Sequence, residues 1–340
     1  MSKTVLVTGG TGFIGGWTIV ELLKRGYSVR TTVRSLDKAS AVRTRISVEV
    51  DPGDRLSFAA ADLTSDAGWD AAVTGCDYVL HVAAPVGVDA PRDPNELIVP
   101  TRDGALRVLG AACRAKVQRV VLTSAVEACR PPMTSPDGVT DESRWTDTND
   151  PKLGPYRLAK TLAEQAAWDF MASQSGSTTL TTILPSAVLG PVLGGAENLH
   201  SVELAKRMLS GSLPRFPHLG FCVVDVRDVV DLHIRTMTAP EAAGQRFIAA
   251  SDWVWMADVA SVLRSELGAS AKKVPTQGMP DFVLRIVAMF DRPLRFTTPL
   301  LGRKHVFSSA KAQAVLGWKP RPAATTIVDA ARSAIVIGAV

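Results

Sequence analysis

The chain has 340 residues, of which 46% are hydrophobic and 21% are charged, and its formal net charge is +5. This composition is typical of an ordinary globular protein of roughly two domains, and it excludes disordered, collagen-like and low-complexity classes. The four cysteines lie far apart without CxxC spacing, which excludes a disulfide scaffold and a zinc ribbon. No segment reaches the roughly 20 apolar residues that cross a bilayer, and no signal peptide is recognisable. We therefore expect a cytoplasmic protein without membrane contact.

The positive charge is concentrated near the N-terminus. Residues 1–45 carry eight basic and two acidic side chains, whereas the other 295 residues carry 30 basic and 31 acidic ones. A nucleic-acid-binding protein usually has a wider basic surface. The local excess therefore favours a site for one phosphorylated small molecule and argues against nucleic acid, with a solvated basic helix face as the alternative.

Short β-rich segments alternate with helical segments in the N-terminal half. The β-rich segments are apolar on both faces, which is typical of a parallel sheet covered by helices on each side. The alternation predicts an α/β fold with a Rossmann-type doubly wound parallel sheet. The predicted strands are Thr4–Thr8, Val29–Val33, Leu56–Ala61, Tyr78–Val82, Val117–Ser124 and Thr179–Leu184. The clearest predicted helices are Ile14–Arg25, Asn95–Lys116 and Tyr156–Gln174.

The pattern changes after Pro185. Residues 186–221 are rich in Gly and Pro, with one predicted helix near Leu199–Leu209. Because no flexible linker separates the two halves, we expect a smaller, mostly helical C-terminal substrate lobe that is built into the fold. The other predicted elements are a strand at Arg246–Ala250 and helices at Val226–Met237, Met256–Leu267, Pro280–Phe290, Ser309–Leu316 and Thr325–Val336.

A glycine-rich segment, Thr8-Gly9-Gly10-Thr11-Gly12-Phe13-Ile14-Gly15, joins the first predicted strand to the first predicted helix. In such a turn the first glycine allows the bend, the second lets the backbone approach a pyrophosphate, and the third allows close packing of helix and strand. The N–H groups at the start of the helix then attract the phosphates. The segment predicts a dinucleotide-binding site, with a plain glycine turn as the alternative.

The second predicted strand ends at Arg34, where an enzyme that selects NAD usually carries Asp or Glu to bind the ribose hydroxyls. A guanidinium can instead hold a 2′-phosphate. Arg34, with Arg30 and Lys38 close by, therefore predicts NADP(H), and a solvated arginine at a strand end is the alternative. We assign residues 1–185 and 222–250 to an NADP-binding Rossmann domain, and residues 186–221 and 251–340 to the substrate-binding lobe.

Tyr156 and Lys160 lie four residues apart at the start of a strongly helical segment, so their side chains share one helix face. A free tyrosine has a pKa of about 10 and is a poor acid or base near neutral pH. A neighbouring ammonium brings the tyrosine pKa closer to the working pH. The pair predicts acid–base catalysis, although the spacing alone is common on protein surfaces.

Together these motifs resemble the extended short-chain dehydrogenase/reductases. The resemblance is greatest to the branch of dihydroflavonol reductase, cinnamoyl-CoA reductase and related microbial carbonyl and aldehyde reductases. It covers nearly the whole chain, and the motifs follow in the family's order. The segments that carry it are the glycine-rich turn, Thr31–Arg34, Ala61–Leu63, His81–Pro85, Val121–Ser124, Tyr156–Lys160, Leu184–Pro191, Ser308–Lys311 and Leu316–Trp318.

The resemblance implies further contacts with the cofactor. Asp62 and Leu63 would contact the adenine, and Val82–Ala84 would line the cofactor trough. Pro185–Val188 would lie against the nicotinamide ring. From the residues alone, Asp62 is a helix N-cap and Pro185 a strand terminator. The expected cofactor-binding residues are Gly9, Gly12, Phe13, Ile14, Gly15, Arg34, Lys38, Asp62, Leu63, Val82, Ala83, Ala84, Tyr156, Lys160, Pro185 and Val188.

The catalytic residues implied by the resemblance are Tyr156, Lys160 and Ser124. Tyr156 would protonate the substrate oxygen, and Lys160 would also bind the nicotinamide ribose. The family usually has two serines after the threonine, the second of which donates to the substrate carbonyl, whereas this chain has Thr123-Ser124-Ala125. Neighbouring strand residues face opposite ways, so Ser124 reaches the site only if the strand end twists. Loss of one such donor costs roughly 2.7–4 kcal/mol in other enzymes, which leaves slow turnover, another donor or an inactivating replacement open.

The sequence therefore predicts reversible, NADPH-dependent reduction of an aldehyde or ketone to an alcohol. Several apolar segments with few charges favour an uncharged carbonyl substrate, an aromatic one included, although each segment is equally explained by packing. These segments are Val86–Pro91, Cys129–Met133, Val192–Leu199, Leu213–Cys222 and Phe282–Phe290.

Two other classes of function stay open. One is a sugar-nucleotide epimerase or hydroxysteroid dehydrogenase of the same superfamily, against which Arg34 argues because epimerases commonly select NAD. The other is a non-enzymatic NADP(H)-binding sensor, which Ala125 favours. The five histidines are scattered, so no metal site is predicted. Either a monomer or a homodimer is compatible with the sequence.

Overall fold

A seven-stranded sheet, with all strands parallel, forms the centre of the protein. The structure is a computed structural model that describes residues 2–85, 91, 93–133, 135–194, 203–290, 295 and 297–340. The strands of the sheet are β1 (Thr4–Thr8), β2 (Ser28–Val33), β3 (Leu56–Ala60), β4 (Tyr78–His81), β5 (Arg119–Thr123), β7 (Thr179–Pro185) and β10 (Arg246–Ala249). Their spatial order is β10-β7-β5-β4-β1-β2-β3. The predicted doubly wound parallel sheet is confirmed.

The order of the strands reverses at β1. From β1 the chain proceeds to β2 and β3 on one side and then returns to β4 on the other. In parallel sheets of this type a crevice opens beyond the carboxyl ends of the strands at the reversal point, and ligands bind there. The ends of β1 and β4 therefore mark where a cofactor site is expected.

Helices cover both faces of the sheet, as the apolar strands require. One face is packed by α1 (Phe13–Lys24), α2 (Ala39–Ser47) and α7 (Val226–Thr238), whose buried residues include Leu22, Ile46 and Val230. The other face is packed by α3 (Trp69–Val73), α4 (Asn95–Arg114) and α5 (Pro155–Ala172), whose buried residues include Trp69, Val108 and Ala167.

The C-terminal part adds a helical region with two small sheets. The helices are α6 (Glu203–Ser210), α8 (Met256–Leu267), α9 (Asp281–Val287), α10 (Ala310–Leu316) and α11 (Ala323–Val336). The strands β8 (Ala187–Leu189), β9 (Gly220–Asp225) and β11 (Trp253–Trp255) form one sheet, and β6 (Gly138–Thr140) pairs with β12 (His305–Phe307) in the other. A separate core that includes Met208, Leu263 and Ile327 holds α6, α8 and α11 together. The expected helical C-terminal region is thus present.

Some boundaries differ from the predicted ones. The helix predicted near Leu199–Leu209 begins at Glu203 within the described residues, and 199–202 lie outside them. The helix predicted to end at Phe290 is α-helical only to Val287. Strand β9 lies partly in the segment assigned to the Rossmann domain, yet it pairs with β8 and β11, so the assignment of domains stays a prediction. Among the described residues, no helix is long and apolar enough to span a membrane.

Candidate active site

The glycine-rich turn between β1 and α1 allows the backbone to pack closely. Gly9 has a φ of +76°, which favours glycine, and its carbonyl accepts a hydrogen bond from the N–H of Gly12 at 2.8 Å. A Cβ on Gly15 would lie 2.2 Å from the carbonyl oxygen of Gly9, so only glycine fits there. No described side chain caps the N-terminus of α1, which leaves its first N–H groups for an anion. The turn therefore fits the phosphates of a dinucleotide.

Arg45 on α2 reaches back to this turn, a contact that the sequence did not predict. Its guanidinium donates to the carbonyl oxygens of Gly10 at 2.6 Å and Thr11 at 3.0 Å. Hydrogen bonds donated by a charged guanidinium are stronger than those between neutral groups. Arg45 therefore holds α2 against the glycine-rich turn and belongs to the support of the cofactor site.

Arg34 and Lys38 are both exposed just beyond the end of β2. Asp62, beyond the end of β3, accepts hydrogen bonds from the N–H of Thr64 at 2.8 Å and from its hydroxyl at 2.7 Å. These bonds lower the pKa of Asp62, and the nearby charge of Arg34 lowers it further. The structure thus brings Arg34 and Asp62 together at the edge where the adenine end of a dinucleotide is expected.

Arg30 does not join this group. It donates to the carbonyl oxygens of Ala72 at 2.9 Å and Thr74 at 2.7 Å, at the C-terminal end of α3. The expectation that Arg30 supports Arg34 is therefore not met. The physical reason is that Arg30 lies within β2, beside the unpaired carbonyls at the end of α3 that attract a cation, whereas Arg34 lies beyond the end of the strand.

Thr8 ties the end of β1 to the end of β4. Its Oγ1 accepts hydrogen bonds from the N–H groups of Val82 and Ala83, both at 3.0 Å, and it lies 2.8 Å from Nδ1 of His81. Burial lowers the pKa of His81 to about 3, with a further contribution from the charge of Lys160. His81 is therefore a neutral residue of the strand end, in agreement with its predicted packing role.

The apolar members of the predicted cofactor set lie at the borders of the two cores. Phe13, Ile14 and Val188 are partly buried and pack against the core that contains α1 and α7. Leu63 packs against Gly104 of α4, where a Cβ would lie 2.8 Å from the Leu63 Cβ. Each lies beside a predicted contact region, and their direct contact with a cofactor stays a prediction.

Helix α5 begins at Pro155 and places Tyr156 and Lys160 one turn apart. Lys160 is buried and donates to the carbonyl oxygen of Thr123 at 3.3 Å. Burial lowers the pKa of Lys160 to about 8, while the carboxylate of Glu164 opposes this effect. Lys160 lines a small cavity with residues from the ends of β4 and β5, namely His81, Ala83, Ala84, Leu122, Thr123 and Ser124.

Tyr156 keeps its proton at neutral pH. Tyr156 is 39% exposed, yet desolvation raises its pKa, and the carboxylate of Glu127 raises it further. The sequence predicts that Lys160 lowers this pKa, whereas in the structure the pKa is raised. The desolvation of the phenol outweighs any effect of an ammonium that is itself buried. Tyr156 is therefore in its neutral form, and its role as a proton donor stays a prediction.

Glu127, Arg130 and Arg157 form an ionic cluster beside Tyr156 that the sequence did not predict. Arg130 donates through two nitrogens to the Glu127 carboxylate, both at 2.8 Å, and Nε of Arg157 lies 2.5 Å from it. Burial alone would raise the pKa of Glu127, but the two guanidiniums hold it at about 2. No pattern in the sequence indicates this cluster, because it joins α5 to a short helical turn after β5 that is distant in the chain.

The hydroxyl groups at the end of β5 are bound to protein groups. Ser124 is 5% exposed and donates to Oε2 of Glu164 at 2.6 Å. Oγ1 of Thr123 lies 2.8 Å from Nε2 of His233. Ala125, at the position expected for the second serine, is also buried. In the structure the Ser124 hydroxyl therefore contacts Glu164. A contact between Ser124 and a substrate oxygen stays a prediction.

Ser186 is a candidate that the sequence analysis did not single out. Strand β7 ends at Pro185, and the N–H of Ser186 then donates to the carbonyl of Ala249 at 2.9 Å. The Ser186 hydroxyl is buried and has no hydrogen-bond partner in the part of the chain that the structure describes. A buried hydroxyl left unpaired costs about 1–3 kcal/mol, so this position fits a polar group of a bound ligand. It lies within the segment where the resemblance places the nicotinamide.

The C-terminal region contains an open, mostly apolar cavity of about 340 Å³. The rings of His218 and Trp255 in its wall stack with their centroids 4.9 Å apart. Part of the predicted pocket segment Leu213–Cys222 lines it, whereas residues 86–90 and 195–199 of two other predicted segments lie outside the described residues. The lining residues are Phe216, Pro217, His218, Leu219, Trp255, Ala257, Asp258, Gly278 and Met279.

Comparison with known proteins places the chain among reductases. The NAD dependent epimerase/dehydratase family matches residues 5–250. Cinnamoyl-CoA reductase 1 of Arabidopsis thaliana is 39% identical over 253 residues, which are 73% of this chain and 71% of that protein. Dihydroflavonol 4-reductase of Zea mays is 34% identical over 276 residues, which are 77% of this chain and 73% of that protein.

A solved structure extends the likeness to the whole chain. It is that of yeast methylglyoxal/isovaleraldehyde reductase Gre2 complexed with NADPH, with a TM-score of 0.82 and 25% sequence identity. The alignment covers 99% of this chain and 100% of the yeast chain. The resemblance inferred from the motifs is thereby confirmed. This chain belongs to the NAD dependent epimerase/dehydratase family and is an NAD(P)-dependent oxidoreductase of the extended short-chain dehydrogenase/reductases.

Proposed function

We propose that this protein uses NADPH to reduce an aldehyde or ketone to an alcohol, reversibly, and that Tyr156 supplies the proton. One observation carries the proposal. A phenol that keeps its proton, on a residue that is 39% exposed, lies one helical turn from a buried lysine, and that lysine lines a cavity at the carboxyl ends of β4 and β5. Proton donation to a developing alkoxide needs a group of this kind in this place.

The charge beyond β2 supports NADPH over NADH as the cofactor. Arg34 and Lys38 are exposed there, and a guanidinium can bind a 2′-phosphate through two hydrogen bonds. The glycine-rich turn would hold the pyrophosphate, and the unpaired hydroxyl of Ser186 would meet a polar group at the nicotinamide end. When bound, NADPH supplies the hydride. The related yeast Gre2 structure contains NADPH.

The protonation states of Tyr156 and Lys160 favour the reductive direction near neutral pH. Tyr156 is protonated and can donate at once, whereas the reverse reaction needs the phenolate, which its raised pKa disfavours. Lys160 carries most of its charge below about pH 8 and can stabilise the phenolate left after donation. We therefore expect alcohol oxidation to require a higher pH than carbonyl reduction.

The 340 Å³ cavity supports an apolar, uncharged substrate. A series of contacts connects Tyr156 with it. Arg157 follows Tyr156 and shares Glu127 with Arg130, and the Arg130 guanidinium lies 4.9 Å from the ring centre of Phe307. The N–H of Phe307 then donates to Sγ of Cys222 on β9, the strand that begins at the cavity wall. We propose that the cavity receives the apolar part of the carbonyl substrate.

The remaining expectations are part of the same proposal. Residues 1–185 and 222–250 would bind the cofactor, and residues 186–221 and 251–340 would bind the substrate. The protein would work in the cytoplasm as a monomer or homodimer. An epimerase function is disfavoured by Arg34 beyond β2, and a sensor function by the intact pair of Tyr156 and Lys160.

The proposal is tested by the consumption of NADPH, measured by its absorbance, with a panel of aliphatic, aromatic and α-keto carbonyl compounds and with NADH in parallel. We expect NADPH-preferring turnover that is highest for apolar, uncharged carbonyls, because the cavity walls are apolar. Tight NADPH binding without turnover across the panel would contradict the reductase function and favour a sensor. Purification with tightly bound NAD would instead favour an epimerase.

A further inference from the structure

Beneath the candidate active site, Glu164 is the centre of a buried polar network. It lies on α5 one turn after Lys160 and is 1% exposed. Nε of Arg246 donates to its Oε1 at 2.8 Å, and the hydroxyl of Thr182 donates to the same oxygen at 2.7 Å. The hydroxyl of Ser124 donates to the other oxygen, Oε2, at 2.6 Å. Helix α5, strands β7 and β10, and the residue that follows β5 therefore meet at this carboxylate.

Arg246 anchors the network on its far side. One of its nitrogens donates to the carbonyl oxygens of Glu142 at 2.6 Å and Arg144 at 2.9 Å. Its guanidinium also lies 3.7 Å from the ring centre of Trp145. With the cation fixed from several directions, the position of the Glu164 carboxylate is fixed as well. A buried network in which every member is bonded is rigid, and it specifies one arrangement of its side chains.

The hydrogen bond from Ser124 to Glu164 determines where the proton of the serine hydroxyl lies. A serine hydroxyl has a single proton to donate, and a carboxylate can only accept. While Ser124 donates to Glu164 at 2.6 Å, its proton is not available to a substrate carbonyl. Ala125, the next residue, has no donor in its side chain. At the described end of β5, neither Ser124 nor Ala125 therefore offers a side-chain donor to a substrate oxygen.

We propose that Glu164 is a positioning residue of the active site, which together with Arg246 holds Ser124 in the wall and supplies the counter-charge for Lys160. The inference rests on the proposed reductase function. It replaces the predicted catalytic role of Ser124 with a structural one. It also assigns a role to the carboxylate that lies on the same helix face as Tyr156 and Lys160 and lines the same small cavity as Lys160.

The surroundings of Lys160 make this role specific. The described charged or titratable groups around it are Tyr156 and Glu164 on its own helix, His81 at the end of β4, and Arg246 behind Glu164. His81 is neutral because burial lowers its pKa to about 3, and Tyr156 is protonated. Glu164 is therefore the anion that favours the charged form of Lys160, and burial opposes it.

The test compares Glu164→Gln and Ser124→Ala with the wild type. One readout is kcat/KM for NADPH-dependent carbonyl reduction from pH 6 to 10. The other is the proton affinity of Lys160, from trace acetylation at each pH and peptide mass spectrometry, which does not depend on turnover. In the wild type we expect both kcat/KM and the acetylation of Lys160 to change near pH 8. In Glu164→Gln both transitions move down by about one pH unit, because an attractive charge has been removed.

Ser124→Ala separates the two roles of the serine. If Ser124 is only a wall residue, its replacement lowers kcat/KM about three- to tenfold and leaves both transitions near pH 8. If Ser124 donates to the substrate oxyanion, its replacement lowers the rate about 10²- to 10³-fold. Asp228→Asn is the matched control, because Asp228 is also a buried carboxylate bound by an arginine, Arg321, but lies on α7. It should lower stability without moving either transition. Glu164→Asp, which keeps the charge, should restore the transitions toward pH 8.

The proposal is overturned if the Lys160 transition of Glu164→Gln stays at the wild-type pH, or if Ser124→Ala loses 10²-fold or more. Should Glu164→Gln not fold, the double variant Glu164→Gln/Arg246→Met removes both charges and must still give a downward shift, a smaller one because the repulsion between Arg246 and Lys160 is also removed. A wild-type protein that consumes no NADPH with any carbonyl contradicts the proposed function. The acetylation of Lys160 still tests the network in that case.

Discussion

At the scale of single residues, the position of each arginine relative to the sheet edge decides whether it can meet a cofactor. Arg34 is exposed beyond β2 and close enough to Asp62 to lower its pKa, whereas Arg30, four residues earlier, is bound to the end of α3. The two arginines look equivalent in the sequence. Only the fold separates them, because Arg30 lies within β2 next to the end of α3, whereas Arg34 lies beyond the end of the strand.

Arg34→Glu should reverse the preference for NADPH over NADH. A hydrogen bond to a charged group contributes about 1.5–3 kcal/mol, which corresponds to roughly a 10- to 100-fold loss of affinity for NADPH. A carboxylate at this position can instead accept hydrogen bonds from the ribose hydroxyls of NADH. The measurement is the dissociation constant of each cofactor by fluorescence titration. Lys24→Glu, which makes the same change of charge at the far end of α1, should leave the ratio unchanged, and an unchanged ratio in Arg34→Glu would contradict the assignment of the 2′-phosphate site.

At the scale of elements, the six N-terminal strands were predictable and several small strands were not. The strands of the parallel sheet are apolar on both faces, so a short run such as Thr4–Thr8 stands out from the helices around it. Strands β8, β11 and β12 have three residues each, and their partners are distant in the chain. Such short segments carry no periodicity to recognise.

The candidate site was predictable to a similar degree. The glycine-rich turn and the spacing of Tyr156 and Lys160 are local in the chain, so the sequence contained them. The contacts of Arg45 with the turn, and of Ser124 with Glu164, join residues that lie 34 to 40 positions apart. Such contacts depend on tertiary packing. The predicted direction of the Tyr156 pKa shift was wrong for the same reason. Desolvation and the charge of Glu127 act on Tyr156 only in the folded chain.

At the scale of the whole molecule, two neutral histidines are buried within the main sheet and its helices. His81 is 2% exposed and His233 is fully buried, and burial lowers their pKa values to about 3 and about 4. In the unfolded chain each would bind a proton near pH 6.5. Between pH 6.5 and 4 the unfolded state therefore binds more protons than the native state, and the stability of the fold falls as the pH is lowered.

The free energy of unfolding in urea should drop by about 2 kcal/mol per histidine between pH 7.5 and 5, since each pH unit below 6.5 costs about 1.4 kcal/mol. His233→Leu should lose about 2 kcal/mol less than the wild type over this pH range, whatever its stability at pH 7.5. His218→Gln, a change at an exposed histidine, is the control and should keep the full slope. An identical slope in His233→Leu and the wild type would show that the protonation of His233 is not linked to unfolding.

The variant Tyr156→Phe tests whether Tyr156 donates the proton in an NADPH-dependent carbonyl reduction. The measurement is kcat for the best carbonyl substrate at pH 7, together with the dissociation constant of NADPH. Removal of a general acid costs about 10²- to 10⁴-fold, so kcat should fall by that factor while NADPH binding changes by less than about threefold. Full activity in Tyr156→Phe would contradict the account, and a loss of NADPH binding equal to the loss of kcat would make Tyr156 a cofactor ligand instead of the acid.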